Sequence, residues 1–463
     1  MGVWKLLQRW LGGGREAPSP VAVAKPAVGR PAHPSQPSGR ATEAVRPVAA
    51  PPHEAEPRPL RADSAWMVRR DELLDDAGRL AGYRFVVHGD AAVPLQADAL
   101  AQVLADAGVP AFAERRLALV HLDHLDWARS AALSALATAR WVWHVDVSRL
   151  LGGPEEWLPA LQALRAAGQG VAVCGLGEEG AQHPALAAAT HAVLDFSRYS
   201  PAALEPQLKA LLKAWPNLGV AVEQVPTWAD RHWCMAMGAR WASGRFLATQ
   251  DQAENGRKLN ASRLVLLEML NLIRSDADAS ALAAVAKRDP GVAVQLLSQA
   301  NSAQHGLQQA ITGLDQAIMV MGRQALYRWV AVAVFRAGGD NPRDATLLEM
   351  ALSRARFLEL VGQAAGNKGQ ADELFLVGLL SFVDVLLNMS MAELLQRMSL
   401  PQAVQDVLVR TEGAYAPHFL LTLAVEKCHA RRMAQLAEEL GVAVDELNAH
   451  RTAALLWAEE AVR

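Results

Sequence analysis

WVWHVDV at residues 141–147, then an Ala/Leu-rich helical stretch at 155–167, then GVAVCG at 170–175, sets the texture that decides the fold. Runs this short and this apolar read as strands buried on both faces, the mark of parallel pairing with helical crossovers. Working outward, similar runs recur at 66–70, 80–87 (LAGYRFVV), 116–121 (RLALVH), 191–196 (HAVLDF), 219–225 (GVAVEQV) and 245–249 (RFLAT). A second helical crossover is expected at 201–214. Asp76-Ala77-Gly78 reads as a hairpin turn, so the first two strands pair antiparallel. Eight strands with helical crossovers predict a (β/α) barrel over residues 63–250, with its chemistry at the C-terminal ends of the strands.

At 463 residues the chain has room for two or three folded units. Its 45 basic and 48 acidic residues leave a formal charge of −3. That lacks the basic excess of a nucleic-acid binder, and neither half carries a basic stripe or a stacking motif. The three cysteines, Cys174, Cys234 and Cys428, form no CxxC, which excludes a disulfide scaffold or a zinc ribbon. No apolar run approaches the roughly 18 residues of a spanning helix, and the first residues lack the apolar core of a secretion signal. The expectation is a soluble, cytoplasmic protein.

Two N-terminal segments stand apart. Residues 1–14 contain VWKLLQRWL, in which Val3, Trp4, Leu6, Leu7, Trp10 and Leu11 share one helical arc with Lys5, Gln8 and Arg9 opposite. Such a helix suits the inner surface of a membrane or a partner's groove, with Trp4, Leu7, Trp10 and Leu11 as the contacts. The alternative is a frayed tail, because isolated helices below about 12 residues are marginal in water. Residues 15–62 hold 11 of the 24 prolines and read as a disordered tether.

From 256 to 463 a period of 3.6 residues takes over, and an all-α domain is expected. Asp289-Pro290 is a helix start, with Ala293, Leu296, Leu297 and Ala300 on one face. Thr312 with Asp315 matches a capping box, and Gly322 ends the helix that follows. Leu326, Trp329, Val330 and Ala333 continue the pattern. Further helices are expected at 344–365, 371–388, 391–397, 402–411, 417–439 and 444–462.

The first unit resembles the EAL family of cyclic di-GMP phosphodiesterases. Gly82-Tyr83, the strand at 170–173, Val193-Leu194-Asp195, Val222-Glu223-Gln224-Val225 and Gly244-Arg245-Phe246 carry the likeness. The resemblance implies a site where several carboxylates, an Asn and a Lys surround two divalent cations, hard metals that take oxygen ligands and activate water. On that comparison the naming Glu is Arg84, the strand-end Asn is His121, and the next strand-end Glu is His144. The paired aspartates are Cys174 and Gly175, the Lys before Asp195 is Val193, and the Gln of the Gln-Gly pair is Ser243. Of the acidic ligands Glu223 remains. His121, His144 and Cys174 on neighbouring strand ends admit a zinc-like reading. The simpler reading, ordinary residues filling a vestigial pocket, is preferred, and no metal or cofactor is expected.

The second unit resembles the HDOD domain, a helical relative of the HD phosphohydrolases. Leu296-Leu297, Ala300-Asn301-Ser302-Ala303, Gly306, Ile311, Gln316-Ala317-Ile318, Gly322, Leu326 and Trp329 carry it. The metal-holding His-Asp pair of the HD enzymes falls on Leu380-Ser381-Phe382, which cannot replace it. Asn301 could contact a ligand, but a buried Asn bridging backbone groups at a helix end is the commoner case. Gly322 and Trp329 are likewise read as structural. Together the two units resemble EAL–HDOD (YuxH-like) bacterial signal-transduction proteins. The resemblance implies a role in signal transduction, linked to cyclic di-GMP or motility regulation; with the ligand residues of both families replaced, the expectation is a non-enzymatic adaptor that binds signalling partners through its helical domain. Two alternatives stay open: a cyclic-dinucleotide sensor without hydrolysis, and a weakly active cyclic di-GMP phosphodiesterase.

Overall fold

The computed structural model describes residues 66–88, 95–251, 253, 260–302, 311–337, 341–366, 368–396, 398 and 400–462. The N-terminal helix with Trp4, Leu7, Trp10 and Leu11, and the tether at 15–62, lie outside the described residues. Eight strands close into a barrel in sequence order. They are β1 (Met67–Leu74), β2 (Leu80–His88), β3 (Leu117–Leu122), β4 (Trp141–Asp146), β5 (Gly170–Cys174), β6 (His191–Asp195), β7 (Gly219–Glu223) and β8 (Trp241–Ala242). β1 is antiparallel to both β2 and β8, and β2 to β8 run parallel. Crossovers carry α1 (Ala97–Asp106), α2 (Val109–Ala113), α3 (Ala131–Leu136), α4 (Pro154–Ala166), α5 (Pro201–Ala214) and α6 (Trp228–Ala236).

The turn between β1 and β2 is the expected one. Asp75 N–H donates to Arg79 O at 2.9 Å, and Gly78 takes φ +81°, a backbone that suits glycine. β1 runs four residues beyond the expected 66–70, which brings Asp71 opposite Arg84. The run at 245–249 is not a strand. Arg245–Ala248 forms a 3₁₀ turn that buries the consecutive Phe246 and Leu247, and Trp241-Ala242 supplies the last strand instead. Gly244 is where the chain leaves it; a Cβ there would collide with the Val225 backbone.

The rest is helical: α7 (Ala261–Arg274), α8 (Ala279–Ala286), α9 (Pro290–Ala300), α10 (Leu314–Met321), α11 (Arg323–Arg336), α12 (Pro342–Ala364), α13 (Lys368–Leu380), α14 (Val383–Leu387), α15 (Met391–Gln396), α16 (Gln402–Arg410), α17 (Ala416–Glu426), α18 (Ala430–Leu440) and α19 (Val444–Val462). Asp289 caps α9 by accepting from Val292 N–H at 3.0 Å. The capping box at Thr312 does not form; Gly313 is the N-cap of α10. The single helix expected at 371–388 is broken at Ser381, whose hydroxyl donates to Gly378 O at 2.7 Å and competes with the helical ladder. The one expected at 417–439 is broken at Cys428, in left-handed conformation at φ +52°, where His429 N–H returns to Ala424 O at 2.9 Å. Among the described residues no single helix is long and apolar enough to cross a membrane.

How the two units pack follows from the hairpin. A parallel crossover lays a helix over the sheet; a β-hairpin lays none, so the outer face of β1 and β2, which Phe112 of α2 covers at Tyr83 and Phe85, needs further cover. Helices α12 and α19 supply it: Met350, Leu455 and Leu456 join the core between barrel and helices. Across this seam the buried Glu349 accepts from Tyr83 Oη at 2.7 Å and from Arg116 Nη1 and Nη2, both at 2.8 Å. Thr346 Oγ1 donates to Gly78 O at 3.1 Å, and Arg451 donates to Val68 O.

Candidate functional site at the barrel mouth

Side chains alternate along a strand, so every second residue faces the barrel axis. Leu119, Val142, Ala172, Val193 and Ala221 fill its floor with Leu73 and Trp241. Two residues further on lie His121, His144, Cys174, Asp195 and Glu223, the next inward positions at the C-terminal ends of β3 to β7. The alternation therefore gathers the vestigial-pocket residues expected from sequence into one layer. Arg84 of β2 and Asp71 of β1 complete it.

Arg84 dominates the layer. Its side chain is buried, with Nε and Nη2 donating to Asp71 Oδ2 at 3.1 and 2.9 Å, and Nη1 donating to Glu223 Oε2. Burial alone would weaken the guanidinium charge, but Glu223 and Asp71 outweigh it and hold Arg84 above its ordinary value. Burial pushes the Glu223 carboxyl up, with Arg84 pulling the other way. The arginine thus sits where two carboxylates converge and supplies the positive charge they require. Asp71 was missed in the sequence because the first strand was ended at residue 70, four residues too early and just before it. Its cross-strand register with Arg84 was the available signal.

His144 is 2% exposed, and neither ring nitrogen has a hydrogen-bond partner among the described residues. Burial, with His121 and Arg84 adding to it, holds it well below the usual histidine range, so its imidazole is neutral. The His121 ring lies 5.4 Å away, and its Nε2 reaches Asp123 Oδ1 at 3.3 Å. Burial pushes the Cys174 thiol up, whereas a metal ligand must be a thiolate. Among the described residues no group of three or more His, Cys, Asp or Glu is placed to hold a metal ion. His121, His144 and Cys174 share a layer without forming a zinc-like set.

Asp195 turns to the rim. Its Oδ1 accepts from Ser197 N–H at 2.9 Å and Ser197 Oγ at 2.6 Å, and its Oδ2 meets Arg198 at 3.3 Å. Asp146, Ser148 and Arg149 repeat this turn at the end of β4, with contacts of 3.1, 2.6 and 3.4 Å. Between the two turns a cavity of about 380 Å³ is bordered by Cys174, Leu176, Asp195, Arg198, Tyr199 and Glu223. A pair of divalent cations does not fit the residues present: a guanidinium already holds Glu223, and Asp195 is engaged in its own turn.

The stretch Leu380-Ser381-Phe382 lies beside an arginine as well. Ser381 Oγ accepts from Arg354 Nη1 at 2.8 Å, and the Arg354 guanidinium lies 4.2 Å over the Phe382 ring. Glu426 takes Arg354 bidentately, at 2.9 and 2.8 Å. Neither Arg354 nor Glu426 was singled out from sequence, since they come from separate helices with no local motif. Asn301 is a clamp: Nδ2 donates to Leu297 O and Ile311 O at 2.9 and 2.7 Å, and Oδ1 accepts from Ile311 N–H at 2.6 Å. Trp329 is buried in the helical core, and Gly322 ends α10 at φ +72°. His429, Arg431 and Arg432 are exposed, as a solvated face requires.

Residues 262–412 match the HDOD domain model. The chain is 24% identical over 223 residues to the uncharacterized protein YuxH of Bacillus subtilis, covering 47% of this chain and 54% of that protein. It is 22% identical over 240 residues to the cyclic di-GMP phosphodiesterase CdgJ of Vibrio cholerae, covering 51% and 55%. The chain thus spans about half the length of the curated relatives it matches. Among solved structures it is similar to the Bacillus subtilis YkuI protein, which has an EAL domain and was solved with c-di-GMP and calcium. That match has a TM-score of 0.33 and 14% identity, over 41% of this chain and 55% of that one. In this chain an eight-stranded barrel opened by an antiparallel pair thus precedes a helical region whose residues 262–412 match the HDOD domain.

Proposed function

We propose that this chain is a non-enzymatic signal-transduction adaptor, tied to cyclic di-GMP signalling, that binds partner proteins through its helical domain. The observation that carries the reading is the Arg84 guanidinium held between Glu223 and Asp71 at the barrel mouth. Metal-assisted hydrolysis needs anionic ligands free to gather cations. Here the anions are neutralised by a side chain that cannot lose its proton. In the second unit the Arg354–Glu426 pair likewise sets a neutralised cation beside Ser381 and Phe382 at the HD position. The name of the relative CdgJ supports the link to cyclic di-GMP. Helical surface then remains as the working part, and Val294 and Met319 present large apolar side chains to solvent there.

A second reading, nucleotide binding without turnover, is favoured by the cavity beside Arg198 and Tyr199, a cation and a ring suited to a phosphate and a base. One experiment separates the readings. The purified full chain is incubated with cyclic di-GMP and Mg²⁺ or Mn²⁺, products are followed by chromatography, and binding is followed by calorimetry. The adaptor reading expects neither turnover nor heat, and it expects Val294→Arg and Met319→Arg to deplete proteins captured from native extract. Saturable heat without product selects the sensor. Turnover abolished by Glu223→Gln would overturn both.

A further inference from the structure

The two abandoned catalytic positions lie on opposite sides of a single strand. On the inner face of the hairpin, Asp71 and Arg84 pair in register and reach Glu223. On its outer face the next residues, Glu72 and Tyr83, pair in register too. Arg70 Nη2 donates to Glu72 at 3.0 Å and its guanidinium stacks 4.5 Å over Tyr83, which donates to Glu349 of α12. Beyond β1, a cavity of about 200 Å³ is bordered by Arg70, Asp71 and Glu72 on one side and by Arg354, Phe382 and Glu426 on the other. Strand geometry makes the two networks mechanically one: Asp71 is bonded to Glu72 and Tyr83 to Arg84, so backbone motion that moves one side chain moves the other.

We propose that the β1–β2 hairpin is a transmission element, through which the state of the Arg84 ion pair at the barrel mouth sets how tightly α12 is seated on the barrel. The coupling goes beyond the adaptor reading and holds whether or not the mouth turns over a nucleotide. It gives the fold a route by which an anion competing for Arg84 at the mouth is felt on the helical domain. Coupling of this kind is reciprocal, so a change at Glu349 must be felt at the mouth.

The test is hydrogen–deuterium exchange of the full chain, comparing wild type with Arg84→Met, with the milder Glu223→Gln in case the first variant fails to fold. Amides of residues 80–88 and 342–364 are expected to exchange about tenfold faster together, while residues 402–410, remote from the hairpin, stay unchanged. Glu349→Gln is expected to accelerate exchange at residues 219–223 in return. The proposal is overturned if residues 342–364 remain within about twofold of wild type while the mouth strands change, or if residues 402–410 rise equally. The first result would confine the perturbation to the barrel; the second would make it global.

Discussion

Arg84→Met removes the guanidinium and keeps the stem, leaving Glu223 and Asp71 without their shared cation. Breaking a buried ion pair by deleting one partner costs about 3–5 kcal/mol, because the survivor stays desolvated. The Glu223 and Asp71 side chains are 13% and 27% exposed, so water screens part of that loss and the low end, about 3 kcal/mol, is expected. The loss depends on pH, and its sign is fixed. Burial already raises the Glu223 carboxyl, and deleting Arg84 removes the strongest opposing influence, so its folded value climbs further. A carboxyl raised on folding stabilises fully below its unfolded value, about 4.3, and that contribution is lost as pH rises through the folded value. The deficit of the variant is therefore largest near neutrality and shrinks towards about pH 4.5. Urea unfolding followed by tryptophan fluorescence at both pH values measures it. A deficit below about 1 kcal/mol at neutral pH, or one that does not change with pH, would refute the reading of Arg84 as the internal counter-ion.

Arg84→Glu goes further, placing a third carboxylate beside Glu223 and Asp71; calorimetric titration of both proteins is expected to show tighter Mn²⁺ binding by the variant than by the wild type. At the seam, Glu349→Ala removes the carboxylate that Tyr83 and Arg116 share and leaves them only each other, and urea unfolding is expected to show a loss of about 3 kcal/mol, against about 1 kcal/mol for Tyr83→Phe. His144, held neutral by burial and by Arg84, is expected to give a flat NMR titration from about pH 8 to about pH 6. Its depressed value means the stability it contributes is present above the unfolded value, about 6.5, and declines as pH falls. Gly378→Val is expected to lower the melting temperature sharply, because any Cβ there meets the Ala355 backbone where α12 and α13 cross.

Much of the site was legible along the chain. Inward positions of parallel strands recur every two residues, so once the strand at 141–147 is recognised, His144 follows, and its counterparts His121, Cys174, Asp195 and Glu223 follow from the neighbouring runs. The resemblance then placed Arg84 where a ligand carboxylate was expected. What escaped were errors of boundary with chemical consequences. Ending the first strand at residue 70 hid Asp71, the second partner of Arg84. Reading 245–249 as a strand overlooked that Phe246 and Leu247 are both buried, as a tight turn allows and an alternating strand does not. Ser381 and Cys428 broke helices whose apolar spacing continued through the break, because periodicity does not register a hydroxyl competing for a carbonyl or one left-handed residue.

By itself the sequence determined the order of the two units, the barrel with its antiparallel opening pair, and the helical texture beyond. These are matters of local period and residue type. Only the tertiary structure decided where the remaining charges went. It showed that Arg84 bridges Glu223 and Asp71, that Arg354 is claimed by Glu426, and that α12 and α19 complete the cover of the hairpin. Such pairings join residues far apart in the chain, and they are set by which buried charge lacks a counter-ion once the backbone is closed.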